Sequence, residues 1–310
     1  MNQTDKDVSI NKAISLLNNG HIKKSLEETL SARKKYPDEP VIFNLLGVLY
    51  SQIGNYEDSI KNYSKAIKLN PSYFEAYNNI GVAHTNWRKT NKAIECFNKA
   101  IQINPSYAEA YNNKGNALKD NGKYVLALES YERSVVLNPN YIDAIANLGI
   151  IWDLMNDFTK SERYFRQALL LSPRNITILY NLANCLFSAK DFKEAIEVCN
   201  KIIALDASFY YAYNRIGLCY IQLGDEEKSK VFFEKALQIR PDYSEGLTNY
   251  GFVLRKLRNY SLATVQFKKA LSINPNSDEA LVNIVKAYFD EGLLPKAIEV
   301  AKKGLISKPN

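Results

Sequence analysis

Histidine, tryptophan and methionine number two each in these 310 residues, and cysteine four. That scarcity removes most catalytic and metal chemistry. His84 falls where Tyr50 and Tyr220 fall in corresponding stretches, a packing place and not that of a general base. Cys185, Cys199 and Cys219 also hold packing places, with no Cys-x-x-Cys pair and no histidine beside them, so no cofactor or metal is expected. Trp87 and Trp152 fall between helices and read as core. No GxGxxG, P-loop or HExxH occurs, and the chain is not expected to be an enzyme. Apolar runs of 18 residues are missing, as is an apolar stretch in the opening MNQTDKDVSINK; no membrane partner is expected, and a cytoplasmic address follows. Few, unpaired cysteines fit a reducing compartment. The net charge of +7 is spread out, with Lys61, Lys65 and Lys68 beside Glu57 and Asp58, so the concentrated basic stripe that nucleic acid requires is lacking.

What is present is a period. Prolines stand at 37, 71, 105, 139, 173, 241, 275 and 309, every gap being 34 residues or twice 34, with Ala207 in the skipped place. Such a chain is an array of copies of one unit. Between Ala108 and Tyr141, residues Ala110, Tyr111, Gly115, Ala117 and Leu118 recur at helical spacing until Asn121-Gly122; a second helical run then carries Ala127, Tyr131, Val135 and Leu137 to Asn138-Pro139. Asn-Gly tolerates the left-handed conformation, and proline lacks the N–H that a continuing helix needs. The unit is a helical hairpin, and the fold class is all-α.

Setting proline at the thirty-second place brings Gly47, Gly81, Gly115, Gly149, Gly217 and Gly251 into register at the eighth, with Ala183 substituting once. Tyr63, Phe97, Tyr131, Phe165, Phe233 and Phe267 align at the twenty-fourth, where Cys199 stands in one unit. Small residues such as Ser59, Ala93 and Ser229 fill the twentieth. Glycine facing a small residue lets two helices approach closely; the aromatic is expected to pack on the first helix of the next unit. This pattern resembles the tetratricopeptide repeat. The resemblance implies a right-handed superhelical solenoid of about nine stacked antiparallel hairpins: a degenerate capping repeat over 1–39, then an array over 40–310 with units starting near Pro40, Phe74, Ala108, Ile142, Ile176, Tyr210, Ser244 and Asp278. In the last unit Ile298 and Leu305 match residues that dock on a following helix elsewhere, so a docking domain, a self-association contact or a fraying helix is expected there.

By the same resemblance the first helices line a concave wall that exposes the second, fifth, sixth, ninth, twelfth and thirteenth places. The sixth reads Asn79, Asn113, Asn147, Asn181, Arg215, Asn249 and Asn283, a ladder whose amides can bond an extended peptide backbone without reading its sequence. Replacing Asn113, Asn147 and Asn181 by alanine is then expected to weaken peptide capture with little effect on melting. Arg215, Arg255, Lys256 and Lys286 make a basic stretch, with Glu75, Glu109, Asp120, Asp143 and Asp153 opposing it earlier in the chain; Tyr180, Phe187, Tyr211 and Phe252 are candidate apolar anchors. The segment AEAYNNKGNALKDNG, 108–122, is similar to units of the O-linked N-acetylglucosamine transferase superhelix. The fifth place is never lysine, which disfavours the two-carboxylate clamp that holds chaperone tails. Two functions stay open: a scaffold that binds an extended or disordered segment of a partner protein, or the substrate-recruiting arm of a transferase.

Overall fold

The computed structural model describes residues 3–307, with side chains from 5 to 302, so Leu305 lies outside the described side chains. It forms two compact units, one ending at Met155 and the other beginning at Asn156. The first holds α1 (Gln3–Asn18), α2 (Ile22–Lys35), α3 (Pro40–Gln52), α4 (Tyr56–Leu69), α5 (Phe74–Asn86), α6 (Thr90–Ile103), α7 (Ala108–Asp120), α8 (Tyr124–Leu137) and α9 (Ile142–Leu154). The second holds α10 (Phe158–Leu171), α11 (Ile176–Ser188), α12 (Phe192–Leu205), α13 (Tyr210–Gln222), α14 (Glu226–Ile239), α15 (Ser244–Lys256), α16 (Tyr260–Ile273), α17 (Asp278–Asp290) and α18 (Leu294–Ser307). No strand occurs among the described residues. Within each unit every helix packs on the next in sequence, the stacked hairpins of an all-α solenoid.

Each hairpin turn needs one left-handed residue. Gly122 provides it at φ +71°, and the amide of Lys123 reaches back to the carbonyl of Leu118 at 2.9 Å, closing the first helix. Arg88, Asn156, Lys190 and Arg258 take the same place with φ between +57° and +65°, a conformation that costs a side-chain-bearing residue about 1 kcal/mol. Most second helices end on a residue that precedes proline, as Asn70 does at φ −136°, because the proline ring excludes the helical region from its predecessor. The Asn70 side chain then accepts from the backbone N–H of Ser72, completing the turn.

The core of a hairpin is a ring on a glycine. A Cβ added to Gly47, Gly81, Gly115, Gly217 or Gly251 would lie 2.4–2.7 Å from the nearest carbon of Tyr63, Phe97, Tyr131, Phe233 or Phe267. The aromatic therefore packs first on its own hairpin, and it meets the next first helix as well: Phe97 clusters with Ala117, and Phe233 with Val253 and Leu254. The small twentieth residue has a polar use too, since Ser59 donates to the Gly47 carbonyl at 2.7 Å and Ser229 to that of Gly217 at 2.8 Å. Trp87 departs from the core reading. It ends α5 and is 39% exposed, with the Lys89 ammonium over its ring.

Candidate functional site

In the first unit α1 touches α3, α3 touches α5, α5 touches α7 and α7 touches α9; in the second, α11, α13, α15 and α17 form the same succession. Among the described residues no two second helices meet in this way. First helices thus stand closer together than second helices, so each unit curves with its first helices on the inner side. The sixth-place residues lie on these walls, half-buried except for Asn283, which is 6% exposed.

The ladder is bonded across repeats. Asn79 donates to the Asn44 side-chain carbonyl at 3.1 Å, Asn113 to Asn78 at 3.1 Å, Asn147 to Asn112 at 2.9 Å and Asn249 to Asn214 at 3.0 Å. Each acceptor is the fifth-place asparagine of the preceding repeat, and Asn78, Asn112 and Asn214 are buried. Asn78 spends its own amide on Glu109 at 3.1 Å. An asparagine amide carries two N–H donors and a carbonyl, so a sixth-place asparagine in such a pair keeps one N–H and its acceptor for other use. Removing Asn113 and Asn147 would strip buried carbonyls of their donors, so melting should fall, contrary to the reading of a free surface ladder. Sequence reasoning missed the fifth place; the constant offset of 35 residues was the signal that could have found it.

Acidic residues at the second place are partly engaged. The Tyr107 hydroxyl donates to Glu109 at 3.0 Å, and burial, then Glu109, pushes the Tyr107 phenol above its ordinary range. Burial, joined by the same carboxylate, raises Tyr141 to about 12. Asp153 is raised by burial alone. His84 stacks on Trp87, and burial lowers its pKa, so it stays neutral.

In the second unit the wall changes character. Tyr180 meets Phe209 at 5.4 Å and Tyr211 at 5.9 Å between ring centroids, and Tyr211 meets Tyr210 at 4.2 Å and Tyr243 at 5.5 Å. Of the expected anchors Tyr180 and Tyr211 are thus brought together, with Phe209, Tyr210 and Tyr243 added. Phe187 lies instead beneath Arg215, whose guanidinium carbon is 4.7 Å from the ring centre. Phe252 carries the cations of Arg255 and Lys256 at 5.6 and 5.9 Å. Arg255 is ion-paired with Asp290, whereas Lys256 and Lys286 are exposed. The basic stretch is therefore partly neutralised from within.

On the outer side of the second unit, a cavity of about 770 Å³ opens between α10 and α12, floored by Leu169, Leu179, Leu182 and Val198. Arg166 bridges Glu162 and Glu194 there. It is the space between two diverging second helices. Among the described residues no three His, Cys, Asp or Glu side chains gather as metal ligands, and no helix is long and apolar enough to cross a membrane.

Models of the tetratricopeptide repeat match residues 74–107 and 108–141, 154–213, and 210–243 and 244–277; a model described as a TPR repeat matches 47–86. No curated protein matches the chain by sequence. Among solved structures, a chain of the APC/C hetero-tetramer Cut9–Hcn1 superposes with a TM-score of 0.63 at 16% identity, over 93% of this chain and 57% of that one. A tetratricopeptide repeat protein from Parabacteroides merdae gives 0.58 at 18%, over 81% and 99%. YrrB, a TPR protein described as having an unusual peptide-binding site, gives 0.52 at 22%, over 60% and 95%. At such identities the likeness is one of fold.

Proposed function

Because the chain belongs to the tetratricopeptide repeat family, we infer that it works by holding a partner protein, and that an extended or disordered segment of that partner lies along the inner walls. The observation that carries this reading is the half-used ladder. Asn79, Asn113, Asn147 and Asn249 are fixed in orientation by the bond to the preceding repeat, and each keeps an acceptor and a donor free. Neighbouring packed helices stand about 8–10 Å apart, and an extended chain advances about 3.3 Å per residue. One asparagine therefore meets about every third residue of the guest. A peptide unit offers one N–H and one C=O, which the free carbonyl and N–H of the asparagine match without regard to side chain. Prior fixation of the amide lowers the entropy lost on binding.

YrrB, of the same fold, is described as binding peptide; here the inference rests on this chain's own wall. The fixed amides suit a binding role better than a catalytic one, and a protein segment suits them better than a nucleic acid or a membrane surface. The test is selection of unstructured twelve-residue peptides from a displayed library on the full chain, followed by photo-crosslinking from benzoylphenylalanine placed in turn on first and second helices. Crosslinks confined to α3, α5, α7, α13 and α15 are expected. Crosslinks on second helices, or a library that yields no binder, would refute the assignment.

A further inference from the structure

One repeat breaks the pattern at three places, and the breaks bear on one side chain of the next repeat. Ala183 replaces the glycine found in six other hairpins and Cys199 replaces their aromatic, both fully buried. The two changes require each other: a Cβ at the glycine place falls 2.4–2.7 Å from the ring wherever a ring is present, so alanine forces the ring out. Elsewhere that ring borders the sixth place of the next repeat, as Tyr63 lines a small cavity with Asn79. The corresponding neighbour of Cys199 is Arg215. Where a ring would stand, a thiol leaves room for the long arginine stem, and the arginine charge reaches both Cys199 and Cys219.

The third break is Tyr180, at the fifth place where Asn78, Asn112 and Asn214 otherwise accept the staple bond. Here the Tyr180 hydroxyl takes the place of that carbonyl, within reach of the Arg215 side chain, which lies over Phe187. Both aromatics are themselves held, Phe187 by Phe192 at 5.5 Å and Tyr180 by Phe209. Stacking engages the flat face of a guanidinium, and the Tyr180 hydroxyl takes one of its five in-plane N–H donors, leaving the others for a guest. Among the described residues no carboxylate lies within ion-pair distance of Arg215, and its buried Nε has no hydrogen-bond partner. Glu245, the acidic residue whose charge reaches Tyr180, is engaged by Tyr243. The wall thus holds an oriented, half-buried cation whose charge the protein does not neutralise.

We propose that this place on the inner wall, formed by Arg215, Tyr180, Phe187 and Tyr211, is a subsite for a carboxylate of the bound segment. The proposal rests on the reading of the inner walls as a peptide groove and adds a sequence preference to it. Arg215 takes the carboxylate through two parallel N–H bonds, and the 37% exposed ring of Tyr211 covers the methylene stem of an aspartate or glutamate. The ladder on either side is indifferent to side chains; here the guest is read.

The test pans one displayed library of unstructured twelve-residue peptides on the wild-type chain and on Arg215→Asn, which restores the residue found at this place in most other repeats. Wild type is expected to select peptides sharing Asp or Glu at one position, and the variant peptides without it. A selected peptide with that residue changed to Gln should bind wild type about tenfold more weakly and the variant unchanged. Arg215→Lys, which keeps the charge but not the planar fork, should recover only part of the difference. Comparing free-acid and amidated forms of the peptide separates a side-chain carboxylate from a chain terminus. Binders that crosslink to first helices yet show no acidic position, or a Gln peptide that binds wild type equally well, would overturn the subsite while leaving the groove intact. Failure of both proteins to select any peptide would overturn both. Helicity and melting of each variant are measured alongside, and a binding loss that follows a loss of helicity counts against the subsite.

Discussion

Asn113 and Arg215 hold the same place in their repeats, and what surrounds them differs in kind. Asn113 closes a polar relay with Asn78, Glu109 and Tyr107 that satisfies the buried Asn78 carbonyl and leaves one Asn113 N–H and its carbonyl for a guest. Arg215 faces rings and thiols. The first arrangement spends polarity inside the protein to fix the stacking of neighbouring helices. The second leaves polarity over and directs it outward. A repeat array can therefore keep one backbone plan and turn one wall position from cement into a reader, provided the hairpin beneath yields the volume.

That provision is the part of the comparison with the largest expected effect. Gly115→Ala puts a methyl 2.5 Å from the buried ring of Tyr131, and the overpacking should cost about 1–3 kcal/mol, a little of it returned by helix propensity. If glycine and ring form one unit, Gly115→Ala with Tyr131→Cys should cost less than the sum of the two single changes by about 1 kcal/mol in chemical denaturation. Strict additivity would show that Ala183 and Cys199 are unrelated. The reverse graft, Ala183→Gly with Cys199→Phe, should fold and displace Arg215, abolishing any preference for acidic peptides.

Next in size is the division of labour between the fifth and sixth places. Asn78→Ala removes a buried amide that serves Glu109 and leaves the Asn113 N–H without its acceptor, and should destabilise by about 2 kcal/mol. Asn113→Ala should cost about 1 kcal/mol and, unlike Asn78→Ala, should weaken peptide binding directly. Equal losses of binding from the two would mean that the ladder acts only by holding the helices. Smaller again is relief of the left-handed turns: Lys190→Gly, at φ +65°, should raise stability by about 0.5–1 kcal/mol, as seen in amide exchange of α11 and α12.

Much of this was legible from spacing, because a repeat of fixed length puts the same residue types into the same surroundings. Helix boundaries, the glycine register and the compensating Ala183 and Cys199 all stand in the sequence at one period. What did not stand there depends on pairs separated by a period plus one. The asparagine at 113 reads as free until it is set beside the one at 78. Arg215 reads as an interruption of the ladder until Tyr180, Phe187 and Cys199 are placed around it. Trp87 misled for a local reason: its place lies between helices by count, but α5 ends on it, and a helix end leaves the ring at the surface.

The smallest difference between the two units lies at the starts of their second helices and should appear only in acid. In the second unit Asp157 and Asp225 cap α10 and α14, accepting from the backbone N–H of Lys160 at 3.1 Å and of Lys228 at 3.0 Å, with the lysine ammonium groups close by. In the first unit α6 and α8 begin at Lys89 and Lys123, which provide no side-chain cap. Hydrogen bonds from the capped turn and the lysines hold both aspartates below their ordinary value of 3.8. A carboxylate depressed in the folded state stabilises that state fully above the unfolded pKa, and the contribution disappears as pH falls through the folded pKa. Both carboxylates are about a third exposed, so the effect is modest and salt-sensitive. Amide exchange in the first turns of α10 and α14 should therefore accelerate below about pH 3.8, relative to the intrinsic rate, while α6 and α8 show no such step. Asp225→Asn, which keeps a capping oxygen but cannot titrate, should remove the step at α14 alone; a step that survives would place its origin elsewhere in the helix.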